Sequence, residues 1–342
     1  MLAAPPNTAV ELSVVLLPEF GWTIQGQPVY GPGSVFQGFV QLDLKQPIMA
    51  DRIRLVFHAS ESTFERGYHE QFFGTQRVLW DSKANGTLLE EPSNRFYFTI
   101  QMPLVQFPPS MQTEQYRCAF RLTAHLDLPG NQSIQEQKPV LYMPFIETCL
   151  LKTPLELRDT KHDTTAMFKV NALDYVPGDR ISGTLVLDKE TAKVTMKLLQ
   201  VSTLLNGNQR SIKLISSNVY KLNTKRTEIV LELPQNITPS FSYGRIMTIA
   251  YKLRIQVEQK GAFRPKYSSF ELPITVGTLG YGIRASDELQ LYTSFRSVFD
   301  AKGTASGPVL PVPRFMRCIE YEESLPVYEP ERLPSYETSI SC

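Results

Sequence analysis

Leu325-Pro326-Val327-Tyr328 and Leu333-Pro334-Ser335-Tyr336 are the places in this chain where residue types and spacing together specify a chemistry, and that chemistry is recognition. Proline biases its neighbours toward polyproline II, a conformation that costs little entropy to order, so a Pro and a Tyr near one face can enter an aromatic-lined groove. A single such tetrapeptide is a common accident. Two copies eight residues apart are hard to obtain by chance, and the alternative, an inert linker with incidental tyrosines, leaves the repetition without a cause. The candidate partner-binding residues are therefore Leu325, Pro326, Tyr328, Leu333, Pro334 and Tyr336.

The residues that serve catalysis and metals show no comparable order. His58, His69, His125 and His162 are scattered without ligand spacing, and no cysteine pairs with them, so no zinc site is expected. Gly280-Tyr281-Gly282 lacks the later glycine and the strand-to-helix setting of a nucleotide fingerprint, and the chain has no Gly-x-Ser-x-Gly elbow. Glu90-Glu91 and Asp287-Glu288 could supply the carboxylates of a glycosidase on a β-sandwich, but adjacent carboxylates in turn-like stretches are ordinarily solvated. The expectation is a non-enzyme with no cofactor and no metal.

The body that must carry the tail is a duplication. Tyr30-Gly31-Pro32-Gly33 followed by Gly38-Phe39-Val40-Gln41-Leu42-Asp43 returns as Tyr175-Val176-Pro177-Gly178 followed by Gly183-Thr184-Leu185-Val186-Leu187-Asp188. Pro presets the second position of a turn and Gly takes the positive angle of the third, so a type II turn leads each copy into a strand. Val40 and Leu42, like Leu185 and Leu187, then share one face at period two. Downstream, Ile53, Leu55 and Phe57 match Val194, Met196 and Leu198. Phe98, Ile100 and Met102, running into Pro109-Ser110, match Ile229, Leu231 and Leu233, running into Pro239-Ser240. Cys118, Phe120, Leu122, Ala124 and Leu126 match Ile249, Tyr251, Leu253, Ile255 and Val257. A unit this long is a repeated domain, not the short-period array of a solenoid.

Short alternating runs broken by Asn85-Gly86, Pro108-Pro109 and Pro129-Gly130, with little helical spacing, predict an all-β chain of two tandem immunoglobulin-like β-sandwiches. The first strand is expected around Val10 to Leu17. A hinge is expected over residues 144–154, with strands restarting at Ala166 to Val170 and the second sandwich ending near Val276. Residues 278–300 cannot be placed from the pattern. The expected divisions are residues 1–149, 150–300 and a disordered tail, 301–342, rich in Pro, Gly and acidic residues.

A chain of 342 residues with 42% hydrophobic residues can fill two cores. Ten basic residues face fourteen acidic ones in residues 1–149, twenty-one face fourteen in 150–300, and four face six in 301–342. The middle surplus suits an anionic membrane surface or acidic cytoplasmic loops. Near-neutral overall charge and the lack of a basic stripe interleaved with aromatics argue against nucleic acid. Four widely spaced cysteines point to a reducing compartment. The opening residues do not read as a secretory leader, and no apolar run nears the roughly 18 to 20 residues needed to span a bilayer. Cys342 does not fit a prenylation box, and the sequons at Asn85, Asn131 and Asn236 read as chance matches.

The two Tyr-x-Pro-Gly units, the two Pro-Ser units and the terminal Pro-x-Tyr motifs together resemble the α-arrestins, or arrestin-domain-containing proteins. The likeness covers most of the chain. It implies the arrestin fold, two sandwiches packed end to end around a short hinge. It also implies a tail that binds WW domains of HECT-class ubiquitin ligases, through Pro326 with Tyr328 and Pro334 with Tyr336. The expected role is that of a cytoplasmic adaptor, recruited peripherally to the plasma membrane or endosomes, that couples membrane transporters or receptors to ubiquitination and endocytosis. Leu325 and Leu333 stand where the family usually has a first proline. Leucine fills an apolar position without fixing its backbone, so weaker binding is expected. An arrestin-like or retromer-like sorting scaffold that uses no ligase stays open beside this reading.

Overall fold

The computed structural model describes residues 10–17, 23–24, 26–64, 67–160, 165–205, 209–259, 264–296 and 307–317. The first half contains β1 (Val10–Leu16), β2 (Thr23–Ile24), β3 (Gln27–Tyr30), β4 (Val35–Leu44), β5 (Ile48–Met49), β6 (Arg52–Thr63), β7 (His69–Asp81), β8 (Leu88–Leu89), β9 (Ser93–Gln101), β10 (Val105–Gln106), β11 (Met111–Gln112), β12 (Tyr116–Leu128) and β13 (Gln132–Tyr142). The second contains β14 (Leu150–Asp159), β15 (Ala166–Ala172), β16 (Asp174–Tyr175), β17 (Arg180–Leu187), β18 (Thr191–Leu204), β19 (Gln209–Asn223), β20 (Arg226–Glu232), β21 (Met247–Gln259) and β22 (Lys266–Val276). After these come β23 (Gln290–Leu291), a single 3₁₀ turn (Tyr292–Ser294) and β24 (Arg314–Met316).

Each half is a β-sandwich, and the two are built alike. In the first, the sheet β1-β4-β9-β24 faces the sheet β2-β3-β13-β12-β6-β7; in the second, β14-β15-β17-β20 faces β16-β22-β21-β18-β19. The order β1-β4-β9 is repeated as β15-β17-β20, and β3-β13-β12-β6-β7 as β16-β22-β21-β18-β19. The residues matched in sequence occupy matched places: Ile53, Leu55 and Phe57 on β6 and Val194, Met196 and Leu198 on β18 are all fully buried.

The sequence motifs have visible causes. Gly33 and Gly178 take φ values of 72° and 88°, the left-handed region that a side chain with a Cβ resists. The tyrosine opening each motif pairs in parallel with the end of the half's last strand, Tyr30 with Tyr142 and Tyr175 with Val276. The Pro-Ser units clasp those same ends. Ser110 N–H donates to the Tyr142 carbonyl at 2.8 Å while Ser110 Oγ accepts the Tyr142 N–H at 2.9 Å. Ser240 does the same to Val276, at 2.8 and 2.9 Å. The second glycine of each motif answers a close approach: a Cβ on Gly38 would run into the Val15 carbonyl and the Phe98 ring, and one on Gly183 into the Phe168 ring.

Gly178 yields a direct test. The nearest atom to a Cβ there is Gln235 Cγ at 3.5 Å, so Val would fit sterically and the cost falls on the backbone. Gly178→Val is expected to destabilise the protein by about 1 kcal/mol or more, read as a shift in the urea midpoint. An unchanged midpoint would overturn this account of the motif.

Two local expectations are corrected. The expected hinge over residues 144–154 overlaps β14, which starts at Leu150 and precedes the strand at Ala166. Pro154 disguised it: the ladder to β15 shifts register between Leu150 and Leu155, and an irregular edge strand tolerates a proline that cannot donate. Asn85-Gly86 closes a short helix, α1 (Ser82–Asn85), in place of a simple turn. Asp81 accepts the Lys83 N–H at its start, and Gly86 ends it with φ 89°.

Candidate functional site at the junction of the two halves

The residues after Val276 return to the first half. Thr278 and Leu279 N–H both donate to the Ile146 carbonyl, at 2.9 and 3.0 Å, and Thr278 Oγ1 accepts the Ile146 N–H at 2.8 Å and donates to the Pro144 carbonyl at 2.6 Å. Thr148 Oγ1 donates to the Leu279 carbonyl at 2.7 Å, and the Glu147 carboxylate accepts the Ala285 N–H at 2.9 Å while pairing with Arg284. Gln290 and Leu291 then form β23 alongside Val105 and Gln106 of β10, in parallel. That pairing delivers Tyr292, fully buried, among the first half's aromatics, with its ring centroid 5.1 Å from Phe72 and 6.0 Å from Phe107.

Tyr292 ends on a pair of buried carboxylates. Alternation along β6 turns Ile53, Leu55, Phe57, Ala59 and Glu61 inward, and Glu61 is 0% exposed. Its Oε1 accepts from the Tyr292 hydroxyl at 2.8 Å and its Oε2 from the Tyr116 hydroxyl at 2.9 Å. Glu70, opposite Glu61 in the ladder and 2% exposed, accepts from the Tyr68 hydroxyl at 3.0 Å and forms an ion pair with Arg245 of the second half. The Arg245 guanidinium also donates to the carbonyls of Tyr292, at 3.1 Å, and Phe295, and it lies 5.0 Å over the Tyr292 ring; the Arg245 backbone N–H donates to the Tyr292 hydroxyl at 2.6 Å. One arginine from the second half thus ties Glu70 to the returning segment, and Tyr292 of that segment carries the contact to Glu61.

The charges follow from burial. Removal from water pushes the Glu61 carboxyl up to about 7; nearby Glu70 adds to this, while the two tyrosine hydroxyls and Arg245 oppose it. Burial and the bond to Glu70 push Tyr68 up to about 12, and burial raises the Tyr116 and Tyr292 phenols. The Cys118 thiol, fully enclosed and near Glu61, is also raised and stays protonated, which leaves it a poor nucleophile. Burial favours the protonated, uncharged form of these groups, which bind to one another; the arrangement suits a latch between parts.

An open cleft of about 770 Å³ lies between residues 112–115 of the first half and β18–β19 of the second. Its walls include Gln112, Gln115, Gln200, Ser202, Ser211 and Lys213, with Ile212 and Met247 as the apolar members. Amides and hydroxyls of this kind suit hydrogen bonding to a peptide backbone.

Residues 161–281 match the family model of the arrestin (or S-antigen) C-terminal domain. The match runs from before β15 past β22 into the returning segment, so the matched region contributes Arg245 to the latch. No curated protein matches the chain. Among the described residues, no helix is long and apolar enough to cross a membrane, and no group of three or more His, Cys, Asp or Glu is placed to hold a metal ion.

Leu325, Pro326, Tyr328, Leu333, Pro334 and Tyr336 lie outside the described residues. The latch that joins the two halves was not singled out in the sequence. One signal for it was present: Glu61 and Glu70 stand in the inward phase of their strands, where an acid needs a partner.

Proposed function

We propose that this protein is an arrestin-like adaptor, an α-arrestin, that links membrane transporters or receptors to a WW-domain ubiquitin ligase. The body, residues 1–149 and 150–300, engages the cargo's cytoplasmic region, and the tail, 301–342, brings the ligase, whose chemistry then modifies the cargo. The observation that carries the reading is a twice-repeated Leu-Pro-x-Tyr downstream of a duplicated sandwich whose second copy matches the arrestin C-terminal domain. The basic surplus of residues 150–300 supports peripheral recruitment to an anionic membrane surface from the cytoplasm.

Each motif is short, so single sites are expected to bind isolated WW domains with Kd on the order of 10 to 100 μM. Losing a buried tyrosine anchor commonly costs about 2 kcal/mol, close to thirtyfold. Tyr336→Ala is therefore expected to weaken binding of the full chain, and the double variant with Tyr328→Ala to abolish it. The offset of eight residues spans at most about 25 Å as polyproline II, which allows a tandem-WW ligase to gain avidity. Calorimetric titration with single and tandem WW domains, followed by cargo ubiquitination in cells, tests this. Undiminished binding by the double variant would remove the assigned contacts. Unchanged ubiquitination would favour the second reading, a sorting scaffold without a ligase, toward which Leu325 and Leu333 in place of proline already lean.

A further inference from the structure

Gln200 is a polar residue in a core position. Alternation along β18 turns Val194, Met196 and Leu198 inward, each fully buried, and the next two places in that phase fall to Gln200 and Ser202. Gln200 is 8% exposed and stands between the buried Tyr251 of β21 and Lys213 of β19. Among the described residues no hydrogen bond reaches its side-chain amide. An amide withdrawn from water without a partner costs free energy, and buried polar groups are ordinarily bonded. This one opens into the cleft of about 770 Å³ whose other wall is the turn at residues 112–115. That wall is already built: Thr113 Oγ1 accepts the Tyr116 N–H at 3.0 Å and donates to the Tyr116 carbonyl at 3.2 Å.

The cleft reaches the rim of the sheet. Ile212 alternates with Ser211 and Lys213 along β19, yet all three line the cleft, so the opening runs past the strand's backbone. β19 is an edge strand, and over residues 209–214 no strand pairs with its outer side among the described residues. Farther along, the edge is closed against β20, where the Asn218 side chain donates to the Val230 carbonyl at 2.9 Å and the Tyr220 hydroxyl accepts the Val230 N–H at 3.0 Å. Residues 209–214 contain neither Pro nor Gly, so their outer backbone donors and acceptors form a template for another strand. Ile212 and Leu214 are 57% and 53% exposed on the outward face.

We propose that this edge takes an extended segment of a partner protein as an added strand. Apolar residues at alternate positions of the segment pack beside Ile212 and Leu214, and the polar side chains between them enter the cleft and bond to the Gln200 amide. Lys213 and Glu114 face the cleft from opposite walls, so their charges offset and hydrogen bonding selects what enters. A second β19 fits poorly, because residues 209–214 carry Arg210 and Lys213 and no acid, and self-pairing would set like charges together. That the partner is the cargo rests on the reading of the body given above; the site itself is independent of the tail.

The test pans random dodecapeptides displayed on phage against the full chain and titrates the enriched peptides in solution. They are expected to alternate apolar and polar residues and to slow amide exchange over residues 209–214. Gln200→Leu, close in volume but without hydrogen-bonding atoms, is expected to weaken their binding about tenfold. Ser211→Arg, at an exposed position, is expected to fill the cleft and abolish binding without changing the urea midpoint. A library that yields no binder, peptides that bind Gln200→Leu undiminished, or protection confined to other residues would each overturn the site. A dimer of the full chain that Ser211→Arg dissociates would give the edge to a second copy instead. The double variant of Tyr328→Ala with Tyr336→Ala is expected to bind the peptides unchanged, which tells failure of this site apart from failure of the tail.

Discussion

Arg245→Ala is expected to cost about 3 kcal/mol of stability, because removing one partner of a buried ion pair strands the other charge away from water. Glu70 is 2% exposed and the Arg245 side chain 19%, so solvent cannot readily replace the guanidinium. The Tyr68 hydroxyl is a neutral donor and does not replace the positive charge. The same change frees the carbonyls of Tyr292 and Phe295 and the face of the Tyr292 ring. The loss should therefore be felt as loosening of the returning segment as well as in the melting curve. Arg245→Lys should recover only part of the effect, since an ammonium cannot fork to a carboxylate and two carbonyls together. Urea unfolding gives the magnitude, and limited proteolysis within residues 278–296 gives the location. A double-variant cycle with Glu70→Gln isolates the pair, and a coupling near zero would overturn the latch.

A pH profile is expected to show the other carboxyl. Glu61 has a folded-state pKa of about 7 against an ordinary 4.5, so the folded state keeps a proton that the unfolded chain releases. An acid raised in this way contributes stability that is fully present below pH 4.5 and is lost as pH rises through about 7. The shift corresponds to a loss of about 3 kcal/mol across that window. The groups facing Glu61 are Glu70, Arg245, Tyr116, Tyr292 and Cys118; the phenols and the thiol, with raised pKa values, stay protonated throughout it. Asp127 works in the opposite sense at lower pH. Burial pushes it up, yet hydrogen bonds from Arg54, Arg52 and Ser133 bring it down to about 2. Its stability is gained between about 2 and 4 and does not mask the Glu61 window. Glu61→Gln keeps a hydrogen-bonding group between the tyrosines and removes the charge, so stability measured from pH 5 to 8 should flatten and at pH 8 should exceed that of the unaltered chain. Parallel profiles for the two proteins would sink the assignment. A junction that loosens as its buried acid ionises offers a physical route for changing how the two halves present themselves to a partner.

Local rules carried the architecture into the sequence. A strand alternates at period two whatever surrounds it, and a turn needs Pro and Gly at set places, so the duplicated sandwich could be read from Val40 and Leu185, from Gly33 and Gly178, and from the paired Pro-Ser units. The tail motifs are local patterns too, but they lie outside the described residues. The obscured elements break local rules under non-local compensation. β14 hides behind Pro154 because an edge strand with a shifted register tolerates it, and β23 is two residues long because β10, far away in the chain, supplies its ladder.

The junction was decided by the tertiary structure alone. Glu61, Glu70, Arg245 and Tyr292 are unremarkable in the sequence. What makes Glu61 an acid of raised pKa is its burial in the assembled fold, and what makes Glu70 one half of an ion pair is an arginine 175 residues away in the chain. Desolvation and pairing at that range depend on which surfaces meet, a property that no spacing of residues along a strand encodes.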